Sequence, residues 1–132
     1  MIVDSSAVIA VLRNEPEAEL FSEILVDETA RMSAANWLEA AIIADRSDDP
    51  RAGSHLDTII EAAAITVEPV TADQARAARI AYRRYGRNSG SAARLNFGDC
   101  FAYALAAVGG EPLLFKGEDF THTDVLAARP PA

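Results

Sequence analysis

Four carboxylates stand where the chain changes character. Asp4 ends the apolar run Ile2-Val3 and is followed by Ser5-Ser6. Glu39 interrupts a stretch that is otherwise apolar through Ala44, Asp99 lies three residues after Asn96 at the head of another apolar stretch, and Asp119 follows the apolar run 112–115. Each has a plain structural explanation. Asp4 or Ser5 serves as a helix N-cap, an exposed Glu39 is simply a good helix former, and Asn96 with Asp99 caps a helix whose first turn favours an acid. Brought together, however, the four would repel one another and their pKa values would rise. A hard divalent cation removes that conflict, and Mg²⁺ is usually held by one or two carboxylates plus waters, which leaves positions for phosphate oxygens. Such a centre polarises a phosphodiester, generates hydroxide from bound water and stabilises the leaving oxygen, with one ion or two. Whether the carboxylates converge depends on the elements that carry them.

A short apolar run ending in a polar turn reads as a buried parallel strand, and ligands of open α/β sheets collect at the carboxyl ends of such strands. Ile2-Val3 is the first. Residues 6–12 are apolar nearly all round and predict a buried helix or a contact surface, in which Ser5 or Ser6 can cap and leave Asp4 free. Pro16 with Glu17 and Glu19 predicts a helix start, and Leu20, Phe21, Ile24 and Leu25 carry that helix to about Glu28. Residues 29–33 predict a second strand. Ser33 begins a third helix with Trp37, Leu38, Ala41 and Ile42 on one face. Glu39 has mostly apolar helical neighbours there, so it is partly buried or at the rim of a cleft.

Residues 45–53 form a polar break, and 55–63 a fourth helix with Leu56, Ile59 and Ile60 inward. The alternating stretch 65–70 predicts a third strand. Thr71 caps the next helix with Gln74 as its capping-box partner; this helix runs over 72–85 with Ala75, Ala78, Ala81 and Tyr82 inward and its arginines outward. Residues 86–93 are the most loop-like in the chain. A helix headed by Asn96 and Asp99 ends at Gly109-Gly110, a fourth strand spans 112–115, and 124–128 suggests a short edge strand before an unstructured tail at Arg129-Pro130-Pro131. Strand alternating with helix implies an α/β fold with a parallel sheet flanked by helices. Asp4, Glu39, Asp99 and Asp119 can then meet at one edge of that sheet.

The 132 residues predict one domain, residues 1–132, able to bury a core without disulfides. No stretch approaches the roughly 18 apolar residues needed to span a bilayer, and the single Cys100 fits a reducing compartment, so a soluble, cytoplasmic protein is expected. With 20 acids against 12 bases the net charge is −8, the wrong sign for indiscriminate phosphate neutralisation. Any nucleic-acid role must rest on a local site. Eleven of the twelve bases are Arg, and Arg76, Arg79, Arg83, Arg84, Arg87 and Arg94 cluster. They form either a solvated helix face or a local basic surface suited to phosphate.

The chain resembles the PIN-domain ribonucleases, and within them the VapC toxins of bacterial toxin–antitoxin systems. The matching segments are Ile2-Val3-Asp4-Ser5-Ser6-Ala7, Ser33-Ala34-Ala35-Asn36-Trp37-Leu38-Glu39, Leu95-Asn96-Phe97-Gly98-Asp99-Cys100-Phe101-Ala102-Tyr103-Ala104, and Leu114-Phe115-Lys116-Gly117-Glu118-Asp119-Phe120 followed by Thr123-Asp124-Val125. Their order and spacing together are the specific signal. The resemblance implies a PIN-like three-layer fold and places Asp4, Glu39, Asp99 and Asp119 in an acidic Mg²⁺ or Mn²⁺ site assisted by Ser5 and Asn96. Asp4 and Asp99 rank first as direct ligands; Glu39 and Asp119 act directly, through water or on the nucleophile. It further implies endonucleolytic cleavage of RNA by metal-activated water to 5′-phosphate and 3′-hydroxyl ends, a homodimer, and a cognate VapB antitoxin that blocks the site. An antitoxin Arg pairing with the carboxylates suits such a centre. The loop 86–94 departs from the shorter, His- and Pro-containing loop of close relatives, so substrate contacts from Arg87 and Arg94 rest on charge alone.

Other readings compete. A phosphoacceptor receiver domain wants an acidic pair after strand one and an acceptor Asp after strand three, where this chain has Ser5-Ser6 and Pro69-Val70. Haloacid-dehalogenase-like phosphatases need an acid two residues after the first, and that position is Ser6. A Cys–His enzyme would use Cys100 with His55 or His122. A non-catalytic binding or dimerisation module on the same fold is the alternative from a different class, and it predicts no metal-dependent loss of RNA.

Overall fold

The structure is a computed structural model and describes residues 1–128; the tail at Arg129-Pro130-Pro131 lies outside the described residues. In chain order its elements are β1 (Ile2–Val3), α1 (Ser5–Leu12), α2 (Ala18–Asp27), β2 (Arg31–Ser33), α3 (Ala34–Asp45), α4 (Ala52–Ala62), β3 (Thr66–Glu68), α5 (Ala72–Tyr85), α6 (Phe97–Gly109) and β4 (Leu113–Leu114), followed by a 3₁₀ turn at Asp119–His122. The strands pair in parallel in the order β3-β2-β1-β4. From β1 the chain steps outward to β2 and β3, then returns through α5 and α6 to place β4 on the other side of β1. That reversal makes the carboxyl ends of β1 and β4 a topological switch point, the crevice where open α/β sheets bind ligands.

Alternation along the strands builds two cores. Val3, Met32 and Leu114 face one side and pack with Val8, Phe21, Ile24 and Leu56 from α1, α2 and α4. Ile2 and Leu113 face the other and pack with Ala78, Ala81, Ala102 and Leu105 from α5 and α6. Period-two side-chain alternation on a sheet covered on both faces thus yields the three layers expected from the sequence.

Several expectations are corrected. The strands are shorter than the apolar runs that announce them, and the suggested edge strand at 124–128 reduces to a single parallel bridge between Leu113 and Ala127. Helix α2 begins at Ala18, two residues past Pro16, with Glu17 at its N-cap position. On α3 the buried line is Asn36, Ala40 and Ala44, whereas Leu38 and Ile42 are 52% and 46% exposed. The small alanines let α3 approach α1 and α6 closely, which rotates the larger aliphatics outward. On α5 the buried residues are Gln74, Ala78 and Ala81, and Ala75 and Tyr82 are exposed. Close packing on α6 again selects the smallest line of side chains. Thr71 Oγ1 accepts from Gln74 N at 3.1 Å, but the buried Gln74 makes no reciprocal capping-box bond among the described residues.

Candidate active site

Asp4 leaves β1 with its N–H donated to Leu114 O at 2.9 Å, which fixes it beside the end of β4. Its own Oδ2 accepts from Ser6 N at 3.0 Å, so Asp4 itself is the N-cap of α1, rather than Ser5 or Ser6. The two hydroxyls bind elsewhere. Ser6 Oγ accepts from Lys116 N at 3.0 Å, tying the segment after β4 to the head of α1. Ser5 Oγ donates to Glu39 Oε1 at 2.5 Å. Asp4 is 2% exposed, and its second oxygen, Oδ1, is buried without a protein partner.

Glu39 reaches this point from the second turn of α3, which Ser33 caps by accepting from Ala35 N at 3.3 Å. Its Oε1 also takes a long bond, 3.4 Å, from Asn36 Nδ2. The same Asn36 amide donates to Gly98 O at 2.9 Å, spanning from α3 to α6. Asp99 sits in the first turn of α6 in a complete capping box: Asn96 Oδ1 accepts from Asp99 N at 2.8 Å, and Asp99 Oδ2 accepts from Asn96 N at 2.9 Å. Asn96 therefore aims Asp99 through the helix cap. Asp119 begins the 3₁₀ turn after β4 and is exposed.

Asp4 and Asp99 respond to their surroundings. Burial is the main cause that pushes Asp4 up to about 6, and the charges of Asp99 and Glu39 add to it against the opposing hydrogen bonds from Ser6. Asp99 is also raised, first by burial and then by the charges of Asp119 and Glu39, while the Asn96 N–H and the nearby Arg87 act the other way. Arg87 thus lies within electrostatic reach of the centre. Arg94 stands exposed on the loop, with a left-handed backbone φ of 52° and no ion pair among the described residues. Arg87 N donates to Leu95 O and Leu95 N to Tyr85 O, so this loop is pinched at its base.

Asp4, Asp99 and Glu39 each have one carboxylate oxygen fixed by donors of the chain, and for Asp4 the other oxygen is buried without a partner among the described residues. A buried carboxylate oxygen without a donor is costly, and a cation is the partner that removes the cost while relieving repulsion from neighbouring acids. Among the described residues no three His, Cys, Asp or Glu side chains are already gathered closely enough to hold an ion by themselves. The donor set is all oxygen and only partly assembled, which suits Mg²⁺ or Mn²⁺ completing its shell with water and phosphate oxygens. The fit is to a hard ion.

Cys100 offers no rival chemistry, being buried with its thiol pushed up to about 11, chiefly by that burial. Reactive thiols need the opposite. The residues that sequence reasoning passed over are Asn36 and Gly98. Their one outward signal is a polar residue three positions before Glu39 in an apolar stretch and a glycine directly before Asp99.

Beside the acids runs an exposed apolar band. Phe97 is 78% exposed and stacks edge-on against Phe101 with ring centroids 4.9 Å apart. On one side they line a cleft of about 250 Å³ with Ala75, Arg79 and Tyr82, and on the other a groove with Leu38 and Ile42.

Comparison with known proteins gives the family. A PIN-domain family model matches residues 1–126. The chain is 52% identical over 129 residues to a protein named ribonuclease VapC28 of Mycobacterium tuberculosis, covering 97% of each chain. Among solved structures it is similar to VapC20 of Mycobacterium tuberculosis, described as a sarcin-ricin loop cleaving toxin, with a TM-score of 0.78, 19% identity and 98% of each chain covered. It is also similar to a chain of VapBC2 from Rickettsia felis bound to a promoter DNA fragment, with a TM-score of 0.73, 14% identity, 96% of this chain and 94% of that one. Those two structural likenesses speak to the fold. The family match across nearly the whole chain and the identity to a curated ribonuclease settle the membership: the chain belongs to the PIN-domain family, among the VapC ribonucleases.

Proposed function

We propose that the protein is the toxin of a toxin–antitoxin pair and acts as a Mg²⁺-dependent endoribonuclease at the Asp4–Glu39–Asp99–Asp119 centre. The observation that carries the reading is the Asp4 carboxylate, with Oδ2 fixed by Ser6 N and Oδ1 buried without a partner. Asp4 and Asp99 hold the ion directly. Glu39 and Asp119 hold it through water or orient the attacking water. Ser5 and Asn96 keep Glu39 and Asp99 in place, and Arg87 meets substrate phosphate at the mouth, with Arg94 further along the loop. An ion held there would supply activation of water and positive charge for the phosphodiester. Cleavage leaves 5′-phosphate and 3′-hydroxyl ends. Mn²⁺ serves in place of Mg²⁺.

The kind of partner follows from the surface. A cognate antitoxin of the VapB type inhibits by directing an Arg at the acids, where the repulsion that favours a cation also favours a guanidinium. Support comes from the toxin–antitoxin complex to which the fold is similar. A second copy of the chain covers the band of Leu38, Ile42, Tyr82 and Phe97 in a homodimer, since contiguous exposed apolar residues on an otherwise charged surface mark an interaction site. No helix among the described residues is long and apolar enough to cross a membrane, and the expected compartment is the cytoplasm.

The test is cleavage of RNA by purified protein with Mg²⁺. Activity is lost in EDTA, returns on adding Mg²⁺ or Mn²⁺, and disappears in Asp4→Asn and Asp99→Asn, both folded by circular dichroism. Full activity in either folded variant removes the site assignment. Metal-independent absence of cleavage on total RNA of the host points instead to a binding module.

A further inference from the structure

The Glu39 carboxylate occupies the space that a side chain at position 98 would need. A Cβ built on Gly98 falls 2.2 Å from Glu39 Oε2 and 2.9 Å from its carboxyl carbon. Gly98 lies inside the first turn of α6 and has no left-handed backbone to explain it, so its smallness answers a close approach rather than a turn. The carbonyl of the same residue accepts Asn36 Nδ2 at 2.9 Å. That amide is 0% exposed and also reaches Glu39 Oε1 at 3.4 Å, while its Oδ1 is buried without a partner. Burying a half-satisfied amide costs free energy, and an alanine in that line of α3, like Ala40 and Ala44, would avoid the cost.

We infer that Gly98 and Asn36 are positioning residues for Glu39: the bare Cα of Gly98 seats the carboxylate, and the Asn36 amide locks α3 to α6 so that Oε2 stays turned toward the ion site. This rests on reading Glu39 as a member of that site. Ser5 and Asn36 on Oε1 together with the Gly98 seat define both the rotation and the depth of the carboxylate. Partners that orient an ion's ligand without touching the ion are a general requirement of metal centres.

The role separates from a structural one because stability and binding move in opposite directions. Alanine is a better helix former than glycine, and the atom it meets is the far end of a flexible side chain, which swings away cheaply. Gly98→Ala therefore keeps or raises the melting temperature of the metal-free protein. It weakens Mn²⁺ binding, measured by titration calorimetry on the metal-free protein, by about 10–100-fold, the usual loss for a displaced outer-shell partner. Asn36→Ala weakens Mn²⁺ binding in the same range, and in a Glu39→Gln background it costs nothing further, because residues acting through a common group are not additive. Mn²⁺ affinity within about twofold of the parent in folded Gly98→Ala, with Glu39→Gln itself impaired, overturns the inference alone. Parent-like affinity in Glu39→Gln overturns it together with the reading of the site. Loss of binding that tracks loss of melting temperature in both variants also overturns it.

Discussion

Removing the charge of Asp4 should change how stability depends on pH, and the structure sets the size of the change. The carboxyl is buried and its pKa moves from 3.8 to about 6. An acid whose folded pKa lies above its unfolded one holds its proton more tightly when folded. Its contribution is therefore fully present below the unfolded value of 3.8 and is lost as pH rises through about 6. At about 1.4 kcal/mol per unit, the displacement amounts to about 3 kcal/mol. For a chain of this length 1 kcal/mol corresponds to about 3–5 °C, so the metal-free protein should lose about 10 °C of melting temperature through this group between about pH 4 and pH 8. Asp4→Asn carries a neutral amide that keeps the bond from Ser6 N and caps α1 equally well. Its extra donor costs about 1–3 kcal/mol, but equally at every pH. The diagnostic quantity is thus the difference in melting temperature between parent and variant, followed by circular dichroism in EDTA. It should shift against the parent by about 10 °C as pH rises from about 4 to 8. Mg²⁺ at about 100 times its dissociation constant should restore about 2.7 kcal/mol to the parent at high pH and nothing to the variant. A difference that stays flat with pH refutes the reading of Asp4 as a strained, cation-seeking carboxylate.

The surface offers two further expectations. Leu38→Asp puts a charge into the exposed apolar band without touching the core, so it should convert the proposed homodimer to monomer by light scattering at unchanged far-ultraviolet dichroism; a dimer that persists places the partner elsewhere. Arg87→Ala would remove the phosphate contact proposed at the mouth, so the slope of log affinity against log salt for single-stranded RNA should fall by about 0.7. An unchanged slope takes Arg87 out of the substrate path.

The layers were legible because apolar runs of strand length alternate with apolar helical periods, and such runs have few other uses. Asp4, Asp99 and Asp119 stand out in the sequence as acids at element boundaries, and Glu39 as an acid within an apolar helix. What periodicity misread were helix faces. Leu38 and Ile42 share a helical stripe with Trp37, and hydrophobicity alone points them inward, yet the buried line is Asn36, Ala40 and Ala44. Tyr82 was misplaced in the same way on α5. In both cases close helix packing favours small side chains over apolar ones, and closeness is not a property of one segment.

The division at the site has the same origin. The sequence by itself determined which acids are available, and that Asp4 and Asp119 follow strands, Asp99 heads a helix and Glu39 lies within one. Only the tertiary structure decided how the acids are held: that Asp4, while capping its own helix, buries a free oxygen, that Ser5 turns to Glu39 rather than to the helix end, and that Gly98 leaves room for a carboxylate from α3. The contacts of Ser5 with Glu39, Asn36 with Gly98 and Ser6 with Lys116 join residues 34, 62 and 110 positions apart. Local propensity carries no information at that range, because only the closing of the sheet around β1 and β4 brings the partners within reach.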